Sequence, residues 1–190
     1  MTESAAVEDV RERIISVSSE RFIEEGFSSV PVEEIAAALG MSKKTFYKHF
    51  ASKDDLLLES LREAFREIVD TWVRAAKQSP NKAAWKAIVK AYLSPDHCEN
   101  PGRGCPMAAL APELARVDKR MKPQVVAELA NYKSRMQPFM PGRRAEDKER
   151  AFFAIFSTII GAVELARLLP DPAMREKVLA SARDFLLRSF

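Results

Sequence analysis

The stretch from Val32 to Phe50, VEEIAAALGMSKKTFYKHF, narrows what this chain can become more than any other. Val32, Ile35, Ala36 and Leu39 recur at helical spacing, and Gly40 follows them, a residue that can take the left-handed backbone on which helices end. Ser42 can cap a second helix. Two short helices broken at a glycine are the sequence form of a helix-turn-helix. In the second helix only Phe46 and Phe50, four residues apart, make an inward anchor, so Lys43, Lys44, Thr45, Tyr47, Lys48 and His49 are left to face a partner.

Charge singles out the same stretch. Residues 1–54 hold seven Lys and Arg against ten Asp and Glu, whereas residues 41–53 hold Lys43, Lys44, Lys48 and Lys53 and no acid. The basic surface is a patch, not a property of the segment. Cations and hydroxyls beside a Tyr suit contact with the phosphates and base edges of double-stranded DNA, since phosphates need cations and donors and sequence is read by a few side chains in the major groove. A solvated lysine face is the alternative. Within the patch, Lys43, Lys44 and Thr45 are expected at the base-reading end, and Lys48 and His49 on phosphates.

Four ordered motifs surround this patch: Phe22 to Phe27 as F-x-x-x-G-F, Ile35-Ala36, Gly40 to Phe50 as G-M-S-x-x-T-F-Y-x-H-F, and Ser52 to Leu56 as S-K-D-x-L. Over Ile14 to Leu57, about the first third of the chain, the sequence resembles the N-terminal domain of TetR-family transcriptional regulators. The resemblance implies an all-α protein of about nine helices. Residues 1–54 would be a three-helix helix-turn-helix DNA-binding domain, and residues 55–190 a larger helical domain for ligand binding and dimerisation. It also implies a homodimer through the last two helices, an inverted-repeat operator, and a repressor released when a small-molecule effector shifts helix 4. One position departs from the pattern. Pro31 stands where a Ser or Thr would cap helix 2 and touch a phosphate; Pro suits the first helical position but has no hydroxyl, and Ser28 or Ser29 is the expected substitute.

The rest of the chain reads as helix punctuated by Pro and Gly. Helix 1 is predicted over about 7–25 and helix 4 from the Ser52 capping pattern to about Lys77, with the stripe Leu58, Leu61, Phe65, Ile68 and Trp72 inward and Lys53 placed for a phosphate. Asn81 can cap helix 5, which buries Trp85, Ile88, Val89, Tyr92 and Leu93. Ser94 to Gly104, SPDHCENPGRG, is the longest break in the helical pattern. Helix 6 follows from Pro106. Helix 7 runs to about Gln137 with Val126, Leu129, Tyr132 and Met136 inward, and the last two helices span about 145–169 and 172–187. The first of these is apolar on more than one face, through Phe152, Phe153, Ile155, Phe156, Ile159, Ile160 and Val163, and needs covering on two sides.

Aromatic and Met residues at these spacings serve either as plain core or as a cavity lining. Trp72, Trp85, Tyr92, Cys105, Met107, Leu110, Tyr132, Met136, Phe153 and Phe156 are the candidates to line an apolar effector pocket, which suits a small apolar or aromatic molecule. His97, Cys98 and Cys105 match no standard zinc spacing and lack a fourth ligand, so no metal and no cofactor is expected. Gly104-Cys105-Pro106 opens a helix, where a thiolate is favoured, and a Gly-Cys pair here resembles a branch of the family in which some members sense reactive compounds. A redox or electrophile sensor through Cys105 is therefore one alternative reading, and a helical dimer acting mainly by protein binding is another. The two histidines, His49 and His97, lie on the reading helix and in a loop, and no Ser or Cys has an evident base partner, so no enzyme is expected. The acidic, polar start argues against a secretory signal, and the apolar run Ala151 to Val163 is shorter than the roughly 18 residues of a membrane span. A cytoplasmic protein without membrane contact is expected.

Overall fold

A computed structural model of the chain describes residues 3–79 and 84–190. Among these residues there is no strand. The order is α1 (Glu3–Glu25), α2 (Val32–Ala38), α3 (Lys43–Phe46), α4 (Lys53–Gln78), α5 (Ala84–Tyr92), α6 (Pro95–Glu99), α7 (Pro106–Leu114), α8 (Lys122–Met136), α9 (Ala145–Arg167) and α10 (Pro172–Ser189). Short 3-10 turns at Pro101–Arg103 and Gln137–Phe139 join α6 to α7 and α8 to α9. The all-α reading holds. The helix missed in the sequence is α6, inside the stretch that read as a long break: Ser94 caps it by accepting from the His97 N–H at 3.2 Å, and Pro95 occupies its first turn.

The turn between α2 and α3 forms as its residues demand. Gly40 takes φ +66°, its N–H donates to Ala37 O at 3.0 Å, and the Met41 N–H donates back to Ala36 O at 2.9 Å. This is the paired closure by which a left-handed glycine satisfies the last carbonyls of a helix. Ser42 then caps α3, accepting from the Thr45 N–H at 3.1 Å. Pro31 is the cap residue of α2, the place where the family pattern has a Ser or Thr, and offers its first turn no side-chain bond.

The long helix α4 carries the architecture. Ser52 caps it, accepting from the Asp55 N–H at 3.0 Å and donating to the Asp55 carboxylate at 2.8 Å. It packs on α1, α5 and α8. It runs unbroken through the boundary expected near residue 54. Leu61, Phe65, Ile68 and Trp72 are buried, as the stripe predicts, joined by Leu56, Leu57, Val69 and Ala76. Asn81, the expected cap of α5, lies outside the described residues; Trp85, Ile88, Val89, Tyr92 and Leu93 all face inward.

Two predicted core positions turn outward. In α8 the buried residue is Val125, while Val126 is 55% exposed; Glu128, Tyr132 and Met136 complete the inward face, so it begins one position earlier than the apolar pattern suggests. In α9, Phe153 is 54% exposed, whereas Phe152, Ile155, Phe156, Ile159 and Val163 are buried. No helix among the described residues is long and apolar enough to cross a membrane.

Because a Cβ at Gly40 would meet nothing within 4 Å, its backbone angle alone penalises substitution. Gly40→Ala should cost about 1–2 kcal/mol in denaturant unfolding, and Gly40→Asn clearly less, since Asn tolerates the left-handed region.

Candidate nucleic-acid interface

The α3 surface rests on two rings. Phe46 is fully buried and Phe50 nearly so, their centroids 5.8 Å apart, and the Arg11 guanidinium of α1 lies 4.8 Å over the Phe50 ring. Enclosing a Phe side chain is worth about 1.5–3 kcal/mol. That burial is what fixes so short a helix: α3 is regular only from Lys43 to Phe46, shorter than predicted, and Tyr47 to His49 continue as turn.

With Phe46 pointing in, its neighbours point out. Lys44 and Lys48 are exposed and form no ion pair with the described residues, and Tyr47 is 45% exposed, its ring edge-on to Phe46. Thr45 and His49 are half-buried at the margins, and the Thr45 hydroxyl already shares a hydrogen bond of 2.9 Å with Ser42. Lys43 pairs with Glu33 of α2, which raises its pKa and keeps it charged, and its ammonium lies 6.0 Å over the Tyr47 ring. A DNA phosphate would have to compete with Glu33 for it. The described surface therefore presents Lys44, Tyr47 and Lys48 ready for contact, with Lys43 and Thr45 already engaged.

Lys53 behaves differently from its expected role. Its ammonium donates to Phe27 O and lies 4.3 Å over the Phe27 ring, and its pKa is lowered by burial. It ties α4 to the α1–α2 turn and does not reach outward. Ser28, one substitute for the missing hydroxyl at position 31, is also occupied: its Oγ donates to Glu113 at 2.7 Å. Glu113 lies in α7, far along the chain, and the sequence carries no local signal for this contact.

The predicted effector lining is a packed aromatic interior. Trp72 and Tyr92 lie 4.9 Å apart, Phe65 and Tyr132 5.0 Å, Tyr132 and Phe156 5.3 Å, and Phe152 and Phe156 4.6 Å. Leu110 and Met136 are buried and Met107 is half-buried beside them. Trp85 instead faces Phe190, just past α10, at 6.1 Å, and Phe153 looks outward toward Lys133. A cavity of about 360 Å³ reaches this interior from the α5–α6 side; it is floored by Ile68, Trp72 and His97 and rimmed by Asp96, Asn100 and Arg103. Of the predicted lining, Trp72 alone borders it.

Two polar groups within the interior are unmatched. The hydroxyls of Tyr92 and Tyr132 are buried and find no hydrogen-bond partner among the described residues; the Cys105 thiol lies beside both without completing a well-formed bond to either. Burial pushes the Cys105 thiol pKa up, which overturns the expected activation at the start of α7: desolvation outweighs the amides of Met107 and Ala108. Its enclosure and the upward shift of its pKa disfavour the electrophile-sensor reading. His97 is held by backbone on both sides, its Nε2 accepting from the Cys105 N–H at 3.0 Å and its Nδ1 donating to Tyr92 O at 2.7 Å.

The comparisons with known proteins agree with this geometry. Residues 14–60 match the family model described as bacterial regulatory proteins, tetR family. Over that stretch the chain is similar to the TetR family. It is 46% identical over 50 residues to the uncharacterized HTH-type transcriptional regulator YerO of Bacillus subtilis, a match covering 26% of this chain and 17% of that protein. It is 33% identical over 85 residues to the HTH-type transcriptional regulator TcmR of Streptomyces glaucescens, covering 42% of this chain and 37% of that one. These matches span well under half the length of either relative. A TetR transcriptional regulator from Chloroflexus aurantiacus superposes with a TM-score of 0.77 over 96% of this chain and 94% of its own, at 22% identity, a likeness that carries the fold alone.

Burial lowers the His97 pKa from its ordinary value to about 4. The unfolded chain takes up this proton near pH 6.5, the folded one only near pH 4, so the unfolded state binds more protons in between and stability falls as pH falls. Wild type should lose up to about 1.4 kcal/mol per pH unit more than His97→Gln between pH 6.5 and 4, read by chemical denaturation across that range.

Proposed function

We propose that the chain is a dimeric transcriptional regulator that reads double-stranded DNA through α2 and α3. One observation carries this reading: Lys44, Tyr47 and Lys48 are exposed on α3 and the turn that continues it, above the buried Phe46 and Phe50. That arrangement has no evident use inside the molecule and suits a major groove. A two-fold dimer would set two such helices about one DNA turn apart, or a small multiple, and match them to an inverted repeat.

The outer surface of α9 and α10 supports the dimer. Ala154, Ser157 and Gly161 are exposed along one side of α9, followed by the exposed Leu165 and Leu168, with Phe185 exposed on α10. Small residues let two helices approach closely, and exposed apolar ones repay covering. A Cβ at Gly161 would meet nothing within 4 Å in the protomer, so the glycine answers no need of its own fold.

The effector reading follows from the unmatched hydroxyls. A small apolar or aromatic molecule entering beside Trp72 from the α5–α6 side, and offering an acceptor to Tyr92 or Tyr132, would gain hydrogen bonds the protein lacks by itself. It would have to part helices packed on α4. Repression relieved by such a molecule is the regulatory sense we propose, and it requires the effector to prefer the state that does not bind DNA.

Selection of bound sequences from a random duplex library should return an inverted repeat, and Lys44→Ala should weaken binding to it roughly tenfold with folding intact. Protein shown to be folded and dimeric that returned no shared sequence would contradict DNA reading and favour a protein partner. Gly161→Arg should leave the helical content unchanged, yield monomers in sedimentation equilibrium, and lose the recovered operator; a Gly161→Arg dimer would remove α9 from the interface.

A further inference from the structure

The α1–α2 turn is fastened to the C-terminal half of the molecule by a single carboxylate. Glu113, near the end of α7, accepts from the Phe27 N–H at 3.1 Å through Oε1, and from the Ser28 N–H at 2.9 Å and the Ser28 hydroxyl at 2.7 Å through Oε2. Three donors converge on one side chain, the arrangement in which charge-assisted hydrogen bonds are strong. The other side of the Phe27 peptide is also held, since Lys53 donates to Phe27 O and covers the ring, whose edge meets Phe22 at 5.2 Å. Gly26 completes the fit. Its φ of +87° turns the chain out of α1, and a Cβ there would stand 2.8 Å from Glu113 Oε1.

The turn so held leads directly into α2 and the reading helix. The opposite end of the same short helix, α7, starts at the buried Cys105 beside the unmatched hydroxyls of Tyr92 and Tyr132. Eight helical steps separate Cys105 from Glu113, a span of about 12 Å with Pro112 just before the carboxylate. A shift of α7 as a body at the first end would carry the carboxylate with it.

We propose that Glu113 is a positioning residue for DNA reading: it lies outside the helix-turn-helix, yet through the Phe27 and Ser28 amides it sets the pose in which α3 is presented. This rests on the DNA-binding reading above. The carboxylate acts by accepting, not by filling space, so the isosteric Glu113→Gln separates the two roles. Gln retains the volume and one acceptor oxygen and turns an amino group toward donors.

Amide hydrogen exchange, together with binding to the duplex recovered by selection, tests this on the whole chain as wild type, Glu113→Gln and Glu113→Ala. The Phe27 and Ser28 amides should exchange faster in Glu113→Gln and faster still in Glu113→Ala, and duplex affinity should fall in the same order, by roughly tenfold for Ala. The Ile155 and Ile159 amides of α9 should keep wild-type protection, which separates loss of the clamp from loss of the fold. Should Glu113→Ala lose that protection, Glu113→Gln and Ser28→Ala decide, each being expected to weaken binding about threefold. Wild-type affinity in Glu113→Gln, or faster exchange without weaker binding, would overturn the proposal. A wild type that binds no duplex would overturn the DNA-binding reading instead.

Discussion

A four-residue helix has no stability of its own, because fixing its first turn costs more than its few hydrogen bonds return. The reading surface of this protein exists because Phe46 and Phe50 are buried beneath it. Those rings set which way α3 faces, and the orientation of Lys44, Tyr47 and Lys48 is the consequence. The Gly40 closure and the Ser42 cap add local precision, yet neither could hold the helix against the body of the domain. Every functional statement about the N-terminal half depends on this anchor.

From the anchor, α4 extends the argument to the rest of the chain. It begins at Ser52, two residues beyond Phe50, and ends among the rings that pack around Trp72. A helix of this length, buried along one stripe and packed on α1, α5 and α8, moves as a body. On the proposed reading it would be one path by which rearrangement in the aromatic interior reaches the DNA-facing end. The Glu113 clamp is a second and shorter path, and it acts on the other side of the helix-turn-helix. Two attachments fix the pose of a small domain in a way that one cannot.

Much of this is legible in the sequence. Helical spacing identified the stripe of α4 and the single face of α5, and the glycine, the serine cap and the two phenylalanines located the reading helix, because each acts within a few residues of itself. The failures were non-local. Lys53 read as a phosphate ligand on its helix-start position, but its fate is decided by Phe27, which folding brings beneath it. Glu113 gave no sign, since its partners lie 85 and 86 residues away. Phe153 and Phe156 look alike in sequence, and only the rotation of α9 separates an exposed ring from a buried one. Short α6 escaped because a helix of five residues, opened by Pro and followed by Asn-Pro-Gly, leaves no period to detect.

The central claim is that α3 enters the major groove with Lys44, Tyr47 and Lys48 leading. Methylation interference at guanine N7 on a selected duplex tests it most directly, because that atom lies on the floor of the major groove. The account predicts two interfering patches related by the symmetry of the site, about 10 base pairs apart or a small multiple of that. Interference confined to one patch, or binding indifferent to N7 methylation, would contradict it.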